Sequence, residues 1–140
     1  VIICTEVLEH VPNPIGALNE MKRLLKKGGI LMVTAPLGSG LHQEPYHFYG
    51  GYTKYWYQKN LEKEFTDIKI IPNGSTFDHI SQECLRFLKL SINKGLFVWN
   101  IPLALVVGVI GITIRIFSIL RLLPNHDGFT VGYHVTAIKK

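Results

Sequence analysis

The side chains best suited to chemistry sit close together near the start of the chain. They are Glu6, Glu9 and His10, in the stretch VIICTEVLEHVPNP. Carboxylates and imidazole exchange protons under mild conditions, imidazole nearest to neutral pH. At spacings of three and four, the three side chains share one face of a helical turn. They follow an apolar, β-branched run, Val1 to Ile3, that breaks at Cys4-Thr5. The region just beyond the carboxyl end of a strand is where α/β proteins bind ligands. Two more candidates, His42 and His47, lie in LGSGLHQEPYHFYGG, residues 37–51. They read as acid–base groups, as ligands, or as ordinary loop polarity.

The elements that position these residues follow from periodicity. Val1 to Thr5 reads as a buried strand. Asn13-Pro14 is a helix start, with Asn as N-cap and Pro in the first turn. Ile15, Leu18, Met21 and Leu25 then form one apolar stripe, predicting a helix over Pro14 to Lys27. Lys22, Arg23, Lys26 and Lys27 gather in its last turn, where the helix dipole favours cations, and Gly28-Gly29 ends it. Ile30 to Ala35 is a continuous apolar strand stopped by Pro36. Strand, helix and strand with short joins predict a parallel pair, so the 37–51 loop hangs over the same edge as Glu6. Loops of that length are functional or disordered. Further elements are a helix from Thr53 to about Phe65, a strand over Thr66 to Pro72, a turn at Asn73-Gly74 and a helix over Ser81 to Leu90. Thr130 to Lys139 alternates, with Val131, Tyr133, Val135 and Ala137 on one side, and reads as a final strand.

With 140 residues the chain is at most one domain of ordinary size. It opens inside a strand, without a starting Met, a cap or a preceding turn. That predicts a fragment; the alternative is a small complete α/β domain with an edge strand first. The net charge of +5 comes from scattered Lys and Arg. No run of like charge marks a nucleic-acid footprint, and the balance suits an anionic membrane face equally well. Cys4 and Cys84 match no metal or disulfide spacing, so a reducing compartment is the default. Leu96 to Ile114, LFVWNIPLALVVGVIGITI, is nineteen residues without a charge, about 28 Å as a helix. Three readings stand: a single transmembrane span, an interfacial or re-entrant helical pair with Arg115 and Arg121 snorkelling, or a buried helix of a larger or dimeric protein. Lys94 and Arg115 on its flanks give no positive-inside bias.

Four stretches together resemble the C-terminal half of a class I S-adenosylmethionine-dependent methyltransferase of the type 11-like kind: VIICTEVLEHVPNP, ALNEMKRLLKKGG, ILMVTAP and HFYGGYTKYWYQKNLEKEF. The succession of EVLEHVP and LLKKGGILMVTAP carries most of the specificity. The resemblance covers residues 1–75 well and 130–139 loosely. It implies an α/β fold, a Rossmann-like seven-stranded sheet to which this chain contributes strands four to seven. The last would be antiparallel and inserted between the fifth and sixth. The implied organisation is a core at 1–75, a helical insertion at 76–128 with an apolar, membrane-contacting segment 96–123, and a last core strand at 129–140. The implied cofactor is S-adenosyl-L-methionine, with Cys4 and Thr5 as its binding residues, Thr5 through its backbone at the methionine part. No GxGxG occurs, and Gly38-Ser39-Gly40 follows the wrong strand. The Gly-rich cofactor cradle is therefore expected outside this chain, which alone is expected to be inactive.

Two branches of the superfamily, the ubiquinone-pathway O-methyltransferases and the small-RNA 2′-O-methyltransferases, carry Glu-x-x-Glu-His after this strand and bind a divalent metal with it. Position by position, the resemblance implies Glu6, Glu9, His10 and His47 as ligands of Mg2+ or Mn2+, with Zn2+ an alternative. The competing reading is metal-free, with Glu as a cap or general base and His packed under the sheet edge. Glu6, His10 and His47 are the implied catalytic residues. The expected function is methyl transfer to an oxygen of a lipid-soluble or membrane-linked small molecule. The expected location is the cytoplasmic face of a membrane, held peripherally or by a single span. The alternatives are a non-catalytic methyltransferase-like membrane scaffold and a metal-dependent RNA 2′-O-methyltransferase. Scattered charge and the apolar run make a nucleic-acid partner the weaker reading. The identity of the acceptor and the oligomeric state stay open.

Overall fold

The computed structural model describes residues 1–93, 101–120 and 128–140. Lys94, Arg121 and the first part of the apolar run, Leu96 to Asn100, lie outside the described residues. Contacts divide the chain into two units, residues 1–73 with 131–140, and residues 74–130.

The first unit is a four-stranded sheet with helices on one face. Its strands are β1 (Ile2–Thr5), β2 (Ile30–Pro36), β3 (Phe65–Asn73) and β4 (Gly132–Lys139), in the spatial order β1-β2-β4-β3. β1 and β2 are parallel, and β4 runs antiparallel to both β2 and β3. This is the order the resemblance implies for strands four to seven, with the last strand inserted and reversed. The register puts Cys4, Leu31, Val33, Ala35, Tyr133, Val135 and Ala137 in one buried cluster. Leu18 and Leu25 of helix α1 (Pro14–Leu24) and its end, and Tyr57 and Leu61 of helix α2 (Lys54–Leu61), join the same cluster. Both helices therefore cover one face. The continuous apolar look of ILMV anticipates burial on both faces, but Ile30 and Met32 are about two-fifths exposed, at 41% and 40%. β1 is likewise an edge strand here, with Cys4 its buried residue and Ile3 exposed.

Local chemistry sets the helix boundaries. The Asn13 side chain accepts from Gly16 N at 2.9 Å, a cap contributing about 1 kcal/mol. A Cβ at Gly16 would meet that side chain at 2.6 Å, so glycine leaves room for the cap. α1 ends before the predicted Lys27. Leu25 turns extended and sinks into the core, and Gly28, at φ 75°, makes the left-handed turn. Gly28 N then donates to Lys139 O at 2.8 Å and Lys139 N to Gly29 O at 2.9 Å, tying the turn to the end of β4. α2 starts at its predicted cap, Thr53, but stops at Leu61, because Phe65 is drawn into the sheet opposite Lys139.

The second unit holds α3 (Thr76–Asn93) and α4 (Ile101–Ile119). α3 begins five residues before the predicted Ser81. Ser75 and Asp78 cap it reciprocally: Ser75 N donates to Asp78 Oδ2 at 2.8 Å, and Asp78 N to Ser75 Oγ at 3.0 Å. The two helices meet on small residues. Ala104, Gly108 and Gly111 are the buried residues of α4. A Cβ on Gly111 would come within 2.9 Å of Cys84 Cβ, and the buried Ser81 hydroxyl donates to Gly111 O at 2.8 Å. Arg115 sits inside α4, not beyond it, and pairs with Asp78.

Gly132 carries a specific steric demand. A Cβ there would lie 2.4 Å from Ala35 O, across the β2–β4 pairing. Gly132→Ala should therefore lower stability by more than about 2 kcal/mol. The midpoint of urea denaturation of the full-length protein checks this, and an unchanged midpoint would show that the pairing has slack.

Candidate functional site

The strand end and the long loop build one site between them. β1 finishes at Thr5, and Glu6 takes a left-handed backbone, φ 52°, a conformation that costs a non-glycine residue free energy and concentrates at functional sites. Two bonds hold it: Glu6 N donates to Thr34 O at 2.9 Å, and Thr34 Oγ1 donates to Glu6 Oε1 at 2.9 Å. A single 3-10 turn, Leu8–His10, follows. It buries Leu8 completely and leaves Glu9 only 1% exposed.

The 37–51 loop is clamped onto that turn. Phe48 N and Tyr49 N both donate to Glu9 O, at 2.9 and 3.2 Å. The Tyr52 hydroxyl donates to Leu8 O at 2.8 Å and the Tyr49 hydroxyl to Pro12 O at 3.1 Å. The loop closes on itself at its base, where Ser39 N donates to Gly50 O at 2.7 Å and Tyr52 N to Pro36 O at 2.8 Å. Gly51 makes that closure, since a Cβ there would sit 2.4 Å from the backbone of Pro36 and Leu37. Tyr52 then stacks against Trp56.

Three imidazoles gather over the turn as a result. Ring centroids lie 5.0 Å apart for His10 and His42, 4.3 Å for His42 and His47, and 5.7 Å for His10 and His47. His10 Nε2 is 3.7 Å from Glu9 Oε1. Glu9 Oε2 is buried without a hydrogen-bond partner. Burial pushes the Glu9 carboxyl above the usual carboxylate range, and the Glu6 charge adds to that. The Glu9 backbone and the imidazoles of His10 and His42 pull the other way. Burial also raises the Cys4 thiol, with Glu9 contributing. The phenols of Tyr52 and Tyr57 rise for the same first reason.

Of the four expected ligands, Glu9 and His10 group together, Glu6 and His47 fall outside the group, and His42 joins it. Glu9, His10 and His42 each offer a ligating atom within 4.8 Å of the others. Glu6 spends a carboxylate oxygen on Thr34, and its carboxylate is not part of that group. His47 stacks on His42, and its Nε2 lies 3.4 Å from Ser39 Oγ. Two imidazoles and one carboxylate are not the all-oxygen shell that Mg2+ favours. Thr5 is exposed at the strand end beside buried Cys4 and pairs with Thr34 of β2. The Ser75 cap of α3 has no counterpart in the sequence-based expectations. Its signal was a Ser-x-x-Asp pair.

A family model described as "Methyltransferase domain" matches residues 1–80. The chain belongs to this methyltransferase family, and its strand order is that of the C-terminal half of a class I methyltransferase. No curated protein sequence matches. Among solved structures, the chain is similar to phosphoethanolamine N-methyltransferase 2 of Haemonchus contortus, solved with phosphomonomethylethanolamine and S-adenosylhomocysteine. The identity is 13% and the TM-score 0.46, over 96% of this chain and 32% of that one. The chain thus spans about a third of that protein's length.

The Tyr52 hydroxyl gives the clamp a measurable contribution. Tyr52→Phe leaves the buried Leu8 carbonyl without that donor and should cost about 1–3 kcal/mol. Denaturation midpoints compared with wild type read this, and equal midpoints would remove the clamp from the account.

Proposed function

We propose that the protein containing this chain transfers a methyl group from S-adenosyl-L-methionine to an oxygen of a lipid-soluble or membrane-linked acceptor, at the cytoplasmic face of a membrane. Family membership supports the reaction class. The observation that carries the acceptor class is α4, whose exposed side chains are mostly apolar, Thr113 and Arg115 being exposed exceptions, with Ala104, Gly108 and Gly111 on its buried line. Leu103, Leu105, Val106, Val109, Ile110, Ile112, Ile116 and Phe117 all face outward from the second unit. A helix so predominantly apolar belongs in a core or in lipid, and soluble monomers rarely expose so large an apolar patch. The length and composition of α4 suffice to cross a membrane, and the same features suit a helix lying in the apolar layer.

When bound, the cofactor supplies an electrophilic methyl on a sulfonium sulfur. Cys4 and Thr5 are proposed as the floor for its methionine part, at the end of β1. The acceptor hydroxyl loses its proton as its oxygen forms the new bond to carbon, and the sulfur–carbon bond breaks. His47 is the proposed proton acceptor, stacked on His42, with His10 and Glu6 as the neighbouring groups that orient the hydroxyl. Positioning and proton removal are the two contributions such a displacement needs.

Two measurements test this reading on the full-length protein. Methyl-tritiated cofactor incubated with protein and membrane lipid extract should label the organic phase, and His47→Ala should cut the rate at least about 100-fold. No transfer to any acceptor by the folded protein would favour a non-catalytic scaffold, and label confined to RNA would favour the RNA enzyme. Separately, replacing Leu105, Val109, Ile112 and Ile116 with Gln should lower partition into anionic liposomes at least about tenfold, from the apolar area withdrawn from lipid. Equal partition would remove the membrane contact.

A further inference from the structure

The second unit begins and ends at one place. Its chain ends are Gly74 and Thr130, and Thr130 Oγ1 donates to Gly74 O at 3.0 Å. Whatever enters a membrane between them must return to the side it came from. Between them α3 and α4 pack antiparallel. Ser75 Oγ meets Ser118 Oγ at 2.7 Å, Asp78 pairs with Arg115, and Ser81 Oγ donates to Gly111 O at 2.8 Å. Further along, a Cβ on Gly108 would come 3.0 Å from Leu88 Cδ2. Helices fitted this closely move together, so α4 enters lipid only with α3.

The two helices differ in kind. Among the described residues only α4 is long and apolar enough to cross a membrane, and its single charge, Arg115, pairs with Asp78 of α3. On α3, Ser81, Cys84 and Leu88 lie against α4. By the 3.6-residue period, Gln82, Glu83, Arg86 and Lys89 fall on its far side. Glu83 and Arg86 pair with each other at 3.1 Å, and Gln82 and Lys89 are exposed. Glu83 and Arg86 flank the midpoint of α3. An upright hairpin would carry them to the centre of the bilayer, where charged side chains are costly. Lying flat, the pair puts them among the headgroups, with α4 beneath in the acyl layer. That is how interfacial amphipathic elements sit.

We infer that α3 and α4 enter one lipid leaflet as a flat two-helix hairpin, α4 in the acyl layer and α3 over it at headgroup level, and that neither helix crosses the bilayer. The inference deepens the membrane contact proposed above and rests on it. It excludes the single span among the three readings of the apolar run. The outward face of α4 needs an apolar partner, while the far side of α3 needs water or headgroups about one helix diameter, roughly 10 Å, away. The boundary between headgroups and acyl chains supplies both over that distance. A hairpin held in one leaflet also restricts the proposed reaction to acceptors that this leaflet presents.

The test uses full-length protein carrying Cys4→Ala and Cys84→Ala and one new cysteine labelled with a fluorophore. It is bound to vesicles of equal parts phosphatidylcholine and phosphatidylglycerol. Leu103→Cys, Ile110→Cys and Phe117→Cys probe one exposed face of α4 at seven-residue spacing. Quenching by lipids spin-labelled at known depths should place all three in the acyl layer within about 5 Å of one depth, as for a helix parallel to the surface. Lys89→Cys should stay reactive toward a membrane-impermeant maleimide. Circular dichroism confirms that each variant is folded. Leu105→Cys, Ile112→Cys and Ile119→Cys, exposed at the same spacing, replace the first set if one of its members does not fold. An upright helix rises about 10 Å over seven residues, so depths differing by about 10 Å between successive positions would overturn the inference and leave the membrane-linked acceptor standing. Quenching at none of the positions would overturn both. Flat insertion without methyl transfer would uphold the inference and contradict the proposed reaction.

Discussion

One residue holds the site together. Glu9 offers its main-chain carbonyl to two amides of the long loop, Phe48 and Tyr49, while its carboxylate is buried under the histidines. The loop would otherwise have to be ordered against its own conformational entropy, at roughly 1–2 kcal/mol per residue. Hydrogen bonds from Tyr49 and Tyr52 to the same turn, and the Gly51 closure at the loop's base, offset part of that cost. The consequence is geometric. His42 and His47 are far from His10 in sequence, yet all three rings meet over the end of β1.

The sheet supplies the rigid part. β4 lies antiparallel between β2 and β3, and its buried residues Tyr133, Val135 and Ala137 complete the core that β1 and β2 begin. Charges at the far end of β4 add little by comparison. Glu64 pairs with Lys139 and Lys22 near the surface, and exposed pairs of this kind contribute about 0–1 kcal/mol. Gly132 permits the close β2–β4 approach at Ala35, and the strand order presents Thr5 and Glu6 at one edge.

Much of this was legible in the residues. Asn13-Pro14, Thr53 and the alternation after Val131 each mark a boundary through local hydrogen bonding or side-chain period, and the structure keeps them. Misses arose where distant contacts overrule local pattern. Leu25 leaves α1 early because the core and Lys139 claim its end, and Phe65 leaves α2 because the sheet takes it. The uniform apolarity of Ile30 to Val33 does not reveal that helices cover one face. At the site, a spacing rule groups Glu6 with Glu9 and His10, yet Thr34, twenty-eight residues on, engages Glu6. His42 joins through a loop conformation that no local signal encodes. The apolar character of α4 was plain from sequence, whereas its seam of Ser81, Gly108 and Gly111 needed α3 in place.

The central claim is that the end of β1, with its buried turn, forms part of a methyl-donor site. Calorimetric titration of the full-length protein with S-adenosylhomocysteine tests it most directly. The account predicts saturable heat at one site per chain. No heat from protein that circular dichroism shows to be folded would contradict it.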